Sequence, residues 1–185
     1  MLIVCAIRTF SCIILSLSPT LTSCTLNVTI TESEVLRMNS YIIKETDDFY
    51  TLAQFFSENG LETSIQKTTP EGIVKMWRLE HRETGDLIAA ATLQIRSGVH
   101  TLGDLAVRED LRNQGFGKLM QELVFEEARK AGITELWGNA KVPSYYTRLG
   151  WEIVDWESAP NISLSCKTCP QRGVKCFPEI IRKKL

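Results

Sequence analysis

The chain has 185 residues, 44% of them hydrophobic, and a formal net charge of −1. Those values suit one globular domain with a single core. Near-neutral charge, with no stretch that combines clustered Lys/Arg with stacking aromatics, argues against nucleic acid as a partner.

Residues 2–24 are apolar but interrupted by Arg8 and several serines, which is too broken for a membrane span, so no firm membrane association is expected. They suit a secretory signal, and Leu21-Thr22-Ser23-Cys24 resembles the cleavage box of bacterial lipoproteins, a reading that would export or lipid-anchor the protein. The charged end of such a leader is weak, however, and Met38 stands just before the first regular element. The favoured expectation is therefore an upstream extension over residues 1–37, a domain over 38–160, a C-terminal strand and cysteine-containing tail over 161–185, and a cytoplasmic location. The six cysteines fall near the two ends and none lies in the middle, which reads as an intracellular enzyme needing no disulfide scaffold.

Asn39 to Lys44 suits a first strand. Thr46 is placed to cap a helix whose buried stripe is Phe49, Leu52, Ala53 and Phe56, and Asn59-Gly60 ends it. Residues 61–72 form a poorly periodic connection with room for a short second helix. Ile73 to His81 and Asp86 to Arg96 read as two strands, joined by a turn in which Thr84-Gly85 supplies hairpin chemistry.

Thr101 to Val107 is a further, buried strand. After a charged turn comes Arg112-Asn113-Gln114-Gly115-Phe116-Gly117, and then a helix with Phe116, Leu119, Met120, Leu123, Val124 and Ala128 on its buried face. Lys118, Gln121, Glu122, Glu126, Arg129 and Lys130 are assigned to the other face, and Gly132 stops the helix. Where such a loop opens a helix, the first backbone N–H groups point outward together and make a site for an anion. Glycines at 115 and 117 let a phosphate approach, and Arg112 and Lys118 add positive charge.

Ile133 to Trp137 is the next strand, Pro143 to Leu149 a short helix with Pro in its first turn, and Trp151 to Trp156 another strand. Asn161 to Cys166 is read as one more strand at the edge. This order of elements defines an α+β, or mixed α/β, three-layer sandwich with a central sheet covered on both faces.

Two familiar phosphate loops fail on spacing. A P-loop needs Gly at position 112, which is Arg, and Ser or Thr after Lys118. A dinucleotide fingerprint needs Gly at position 120, which is Met. What remains, Arg-x-x-Gly-x-Gly after a strand ending Leu-Ala-Val, resembles the acetyl-CoA pyrophosphate loop of the GNAT-type N-acetyltransferases. Asn139, followed seven residues later by Tyr146 in Tyr-Tyr-Thr-Arg-Leu-Gly-Trp, resembles that family's second element, with Trp151 where Phe is usual.

The resemblance implies a mostly antiparallel sheet splayed between its fourth and fifth strands, with acetyl-CoA as co-substrate. Its pyrophosphate is expected on Arg112, Asn113, Gln114, Gly115, Phe116, Gly117 and Lys118. The pantetheine arm would follow the main chain of Leu105, Ala106 and Val107, with Asn139 on the opposite strand. A backbone N–H near Ala106 would polarise the thioester carbonyl. Tyr146 is expected to act as general acid toward the departing thiolate. Asp104 is a weak candidate base, with Glu80 and His100 behind it, and ordered water is the alternative. The acceptor is a small-molecule or peptide amine; a homodimer fits the family, and a non-catalytic acyl-CoA-binding module is the competing reading.

Cys166-Lys-Thr-Cys169 with Cys176 resembles half of a zinc or iron-sulfur ligand set. Three ligands fall short of the usual four and no His is near, so no metal is expected. Arg182-Lys183-Lys184 reads as a solvated terminus.

Overall fold

The structure, a computed structural model, describes residues 40–185. The expected extension over residues 1–37 lies outside them. Among the described residues the strands are β1 (Tyr41–Glu45), β2 (Ile73–His81), β3 (Leu87–Arg96), β4 (Val99–Val107), β5 (Glu135–Ala140), β6 (Glu152–Val154) and β7 (Glu179–Lys184). The helices are α1 (Phe49–Glu58), α2 (Phe116–Lys130), α3 (Pro143–Arg148) and α4 (Leu164–Lys167). None is long and apolar enough to cross a membrane.

One sheet runs in the order β1-β2-β3-β4-β5-β7-β6. Every neighbouring pair is antiparallel except β4 and β5, which are parallel and joined only by Thr101 with Trp137. This is the expected mostly antiparallel sheet with a splay between its fourth and fifth strands. Alternation along the strands supplies both outer layers. Met76, Ala90 and Ala106 face α1, where Phe49, Leu52, Ala53 and Phe56 are buried. Trp77, Leu79, Ala89, Ala91 and Leu93 face α2 and pack on Phe116, Met120, Val124 and Ala128.

Several local expectations need correction. Asp48, not Thr46, caps α1: its carboxylate accepts from the Thr51 N–H at 3.1 Å, and that bond holds its pKa below the ordinary value. Thr46 is still part of the sheet edge, with its N–H donated to Met76 O at 3.0 Å. The connection before β2 contains no helix. On α2, Gln121 is fully buried rather than solvated, because its Oε1 accepts from Trp151 Nε1 at 2.8 Å; Phe125 is buried beside it.

The largest differences lie at the C-terminus. Asn161 to Cys166 forms no strand; its last three residues belong to the short helix α4, and Ser163 is that helix's N-cap. Arg182-Lys183-Lys184 is part of β7, which inserts between β5 and β6 and pairs Ile180 with both Asn139 and Val154. Ile180 and Ile181 are buried there. Lys183 Nζ donates to Leu149 O at 3.0 Å and Gly150 O at 3.1 Å, so one tail lysine caps the end of α3.

Candidate active site

The loop between β4 and α2 is shaped by two glycines with different jobs. Gly115 has φ +88° and open space around a would-be β-carbon, so it answers a conformational demand. Gly117 answers a spatial one, since a β-carbon there would lie 2.7 Å from the Tyr145 hydroxyl. The first α-helical bond runs from the Leu119 N–H to Gly115 O at 3.0 Å. The amides of Gly117 and Lys118 therefore precede the ladder and carry the positive end of the helix dipole. Arg112 laces the loop in place, donating from Nε to Val107 O at 3.2 Å and from Nη2 to Asn59 O at 2.9 Å.

This helix start opens onto a cleft of about 540 Å³ that enters the splay between β4 and β5. Of the residues singled out in the sequence, Leu105, Ala106 and Val107 on β4, Arg112, Asn113, Gly115, Phe116, Gly117 and Lys118 at the loop, Asn139 on β5, and Tyr146 on α3 all line it. Gln114, in the same loop, is exposed and outside the lining. Glu80 and His100 are also outside it. Glu80 is buried on β2 and paired with Arg78 and with Lys44, the latter at 2.6 Å.

A β-bulge sets the geometry of the splay. Ala91 pairs with Leu105 and Leu93 with Leu102, so Gly103 and Asp104 together face Thr92. The Asp104 N–H donates to Thr92 Oγ1 at 2.8 Å, a side chain taking the place of a ladder carbonyl. Bulges bend a strand and re-aim its side chains, and here β4 parts from β5 beyond Thr101. Gly103 fits because a β-carbon would strike Thr92 and Gln94. A glycine inside a strand is the sequence signal for such a bulge, and it passed unread.

Asp104 does not line the cleft, although its neighbours Gly103 and Leu105 do. Its Oδ2 accepts from Gln94 Nε2 at 3.2 Å. Burial raises its pKa above 3.8, opposed by the Arg96 guanidinium and by the Gln94 and Thr63 side chains. Tyr146 packs edge-on against Tyr145 and Trp151, with ring centroids 5.0 and 5.8 Å away. Burial raises its phenol pKa far above 10, reinforced by Tyr145 and by the Asp104 charge. It stays protonated at neutral pH, the form a general acid requires.

Tyr145 is a residue that sequence reading missed. Its hydroxyl is buried without a hydrogen-bond partner and sits against Gly117. The adjacent Tyr-Tyr pair was visible, but nothing local told which hydroxyl met the loop. Asn139 places Nδ2 3.0 Å from Cys166 Sγ, while its Oδ1 is buried and unpartnered. A buried acceptor left unpaired costs about 1–3 kcal/mol, so both groups are suited to a polar ligand. Among the described residues, no group of three or more His, Cys, Asp or Glu is arranged to hold a metal ion.

A mostly antiparallel sheet splayed between β4 and β5, with a helix start opening onto the splay, is the class of fold these elements define. Residues 39–151 match the acetyltransferase (GNAT) family, and the chain belongs to that family. Solved structures share the fold. N-acetylglutamate synthase from Neisseria gonorrhoeae, complexed with coenzyme A and N-acetyl-glutamate, matches with TM-score 0.59 and 18% identity over 78% of this chain. The match spans only 35% of that synthase. The ribosomal-protein-S18-alanine N-acetyltransferase from Escherichia coli matches with TM-score 0.57 and 20% identity, over 78% of this chain and 93% of the other. A GNAT family acetyltransferase from Elizabethkingia anophelis with acetyl-CoA bound matches with TM-score 0.50 and 14% identity, over 80% and 99%. Comparison with curated proteins finds no match.

Proposed function

We propose that the protein transfers the acetyl group of acetyl-CoA to a primary amine by direct attack within a ternary complex. The observation that carries this is the continuity of the cleft from the Gly115 to Gly117 loop, along Leu105 to Val107, to Tyr146 at the splay. The diphosphate takes the amides of Gly117 and Lys118, with positive charge from Arg112 and Lys118. The pantetheine arm, an amide chain, runs beside β4 where the ladder to β5 has stopped. Asn139, with an unpaired Oδ1, accepts from the arm on the other side.

In the transfer step the amine nitrogen bonds to the acetyl carbon and the carbon–sulfur bond breaks. Tyr146 gives the departing thiolate its proton, and the proton that the attacking nitrogen loses as the amide forms passes through solvent to restore the phenol. Asp104, whose raised pKa makes it a better proton acceptor than an exposed aspartate but which does not line the cleft, takes through water the proton that the ammonium sheds before attack. The acceptor is a small-molecule or peptide amine.

The test is thiol release: purified protein mixed with acetyl-CoA and a panel of amines should free coenzyme A only when an acceptor is present. Uptake of acetyl-CoA without thiol release from any amine would favour a binding module instead. Tyr146→Phe should lower turnover about 100-fold or more while leaving acetyl-CoA affinity within about twofold. An unchanged turnover removes the general-acid role from Tyr146.

A further inference from the structure

The geometry points to Cys166 as a positioning residue for Asn139, a role that rests on the proposal that acetyl-CoA occupies the cleft. The segment carrying Cys166 is tied to the sheet beside β5. Ile162 packs on Trp137 and Ile180, and Ser97 Oγ donates to Asn161 O at 2.8 Å. Further along, Arg172 stacks over Trp156, its Cζ 3.8 Å from the ring centroid. Trp137 and Asn139 project from the same face of β5, about 7 Å apart by strand geometry. Ile162 precedes Ser163, the N-cap of α4, and Cys166 lies inside that short helix. Anchoring Ile162 on Trp137 sets the start of α4 over this face of β5, where the Cys166 sulfur meets Asn139.

That contact fixes the carboxamide. Nδ2 is committed to Sγ at 3.0 Å, and the buried Oδ1 is left as the acceptor with no protein partner. Asn139 lines the cleft and Cys166 does not. The thiol therefore acts through Asn139, turning the carboxamide so that its oxygen is the atom available to an N–H of the bound arm. Without it the amide plane can rotate, and the donor competes with the acceptor for the same place. Cys166 is half-buried and not in a disulfide.

A double-mutant cycle read by acetyl-CoA calorimetry tests the role. Cys166→Ala should weaken acetyl-CoA binding about fivefold to tenfold, and Cys166→Ser should keep it within about twofold, since a hydroxyl oxygen accepts the same bond. In an Asn139→Ala background, Cys166→Ala should have no further effect. Equal losses from Cys166→Ala in both backgrounds would show that the thiol merely packs, and unchanged affinity in the single variant would likewise overturn the inference. If Cys166→Ala does not fold, Cys166→Val fills the space without a hydrogen-bonding atom and the cycle runs with it. A wild-type protein that takes up no acetyl-CoA is a different failure: it removes the proposed function, and this role with it.

Discussion

The loop at the mouth of α2 and the strand β7 make an instructive pair, because both are required for the site and they are specified in opposite ways. The loop is local. Its anion-facing geometry follows from two glycines and a helix start within a few residues of each other, so its outline can be read from spacing. β7 is non-local: it lies at the end of the chain, yet it fills the gap between β5 and β6 and holds Asn139 in register through Ile180. The short segment Ile180-Ile181 between charged residues carries little periodic signal, and only the missing partner strand gives it meaning. Local geometry thus shapes the helix mouth proposed for the diphosphate, while long-range pairing builds the wall opposite it.

The largest effect expected falls on the non-local side. Ile181 is 1% exposed, with its side chain over Gly138. Ile181→Ala should cost about 2–5 kcal/mol by urea unfolding, as a large-to-small change in a close-packed core does. A loss below about 1 kcal/mol would mean that the tail is an accessory to the sheet rather than part of it.

On the local side, Gly117→Val would drive side-chain atoms into the Tyr145 hydroxyl and the phosphate approach together. Acetyl-CoA affinity should drop about 100-fold, or roughly 2.7 kcal/mol, by calorimetry. Gly115→Ala sharpens the contrast: nothing stands within 4 Å, so its cost comes from φ +88° and appears as about 1–2 kcal/mol of stability. Equal affinity losses from the two changes would erase the distinction between a glycine needed for space and one needed for conformation.

The same division explains what was legible in the sequence. The stripe of α1, the hairpin of β2 and β3, the start of α2 and the Pro143 helix follow from periodicity, turn residues and caps within one element. Gln121 reads as solvated because its polarity hides the partner that buries it, the Trp151 indole 30 residues away. The bulge at Gly103 depends on Thr92 across the hairpin, and Tyr145 meets Gly117 only after α3 has docked. Cys166 and Asn139 are 27 residues apart, and the C-x-x-C spacing around Cys166 carries no sign of that contact. Trp151→Phe probes one of these hidden pairs. It keeps an aromatic ring in place but removes the donor to Gln121, whose Nε2 already lacks a partner, and should cost about 1–3 kcal/mol. A neutral result in thermal unfolding would show that Gln121 finds water or another partner.

Asp104 gives the smallest stability effect, and its direction carries the argument. Because burial raises its pKa, the folded chain holds the Asp104 proton more tightly than the unfolded chain, where the group titrates near 3.8. The linked stability is fully present below that value and is lost as pH climbs toward the folded-state pKa. Asn mimics the protonated acid, so Asp104→Asn should match wild type near pH 3 and become more stable as pH rises, levelling off at under about 1 kcal/mol. Turnover at neutral pH should move the other way, because the variant has no carboxylate to accept the ammonium's proton. A variant that is both more stable and slower would mark Asp104 as a charge kept at a cost for chemistry. If its turnover stays at the wild-type level, ordered water in the splay is the proton acceptor and Asp104 serves the bulge alone.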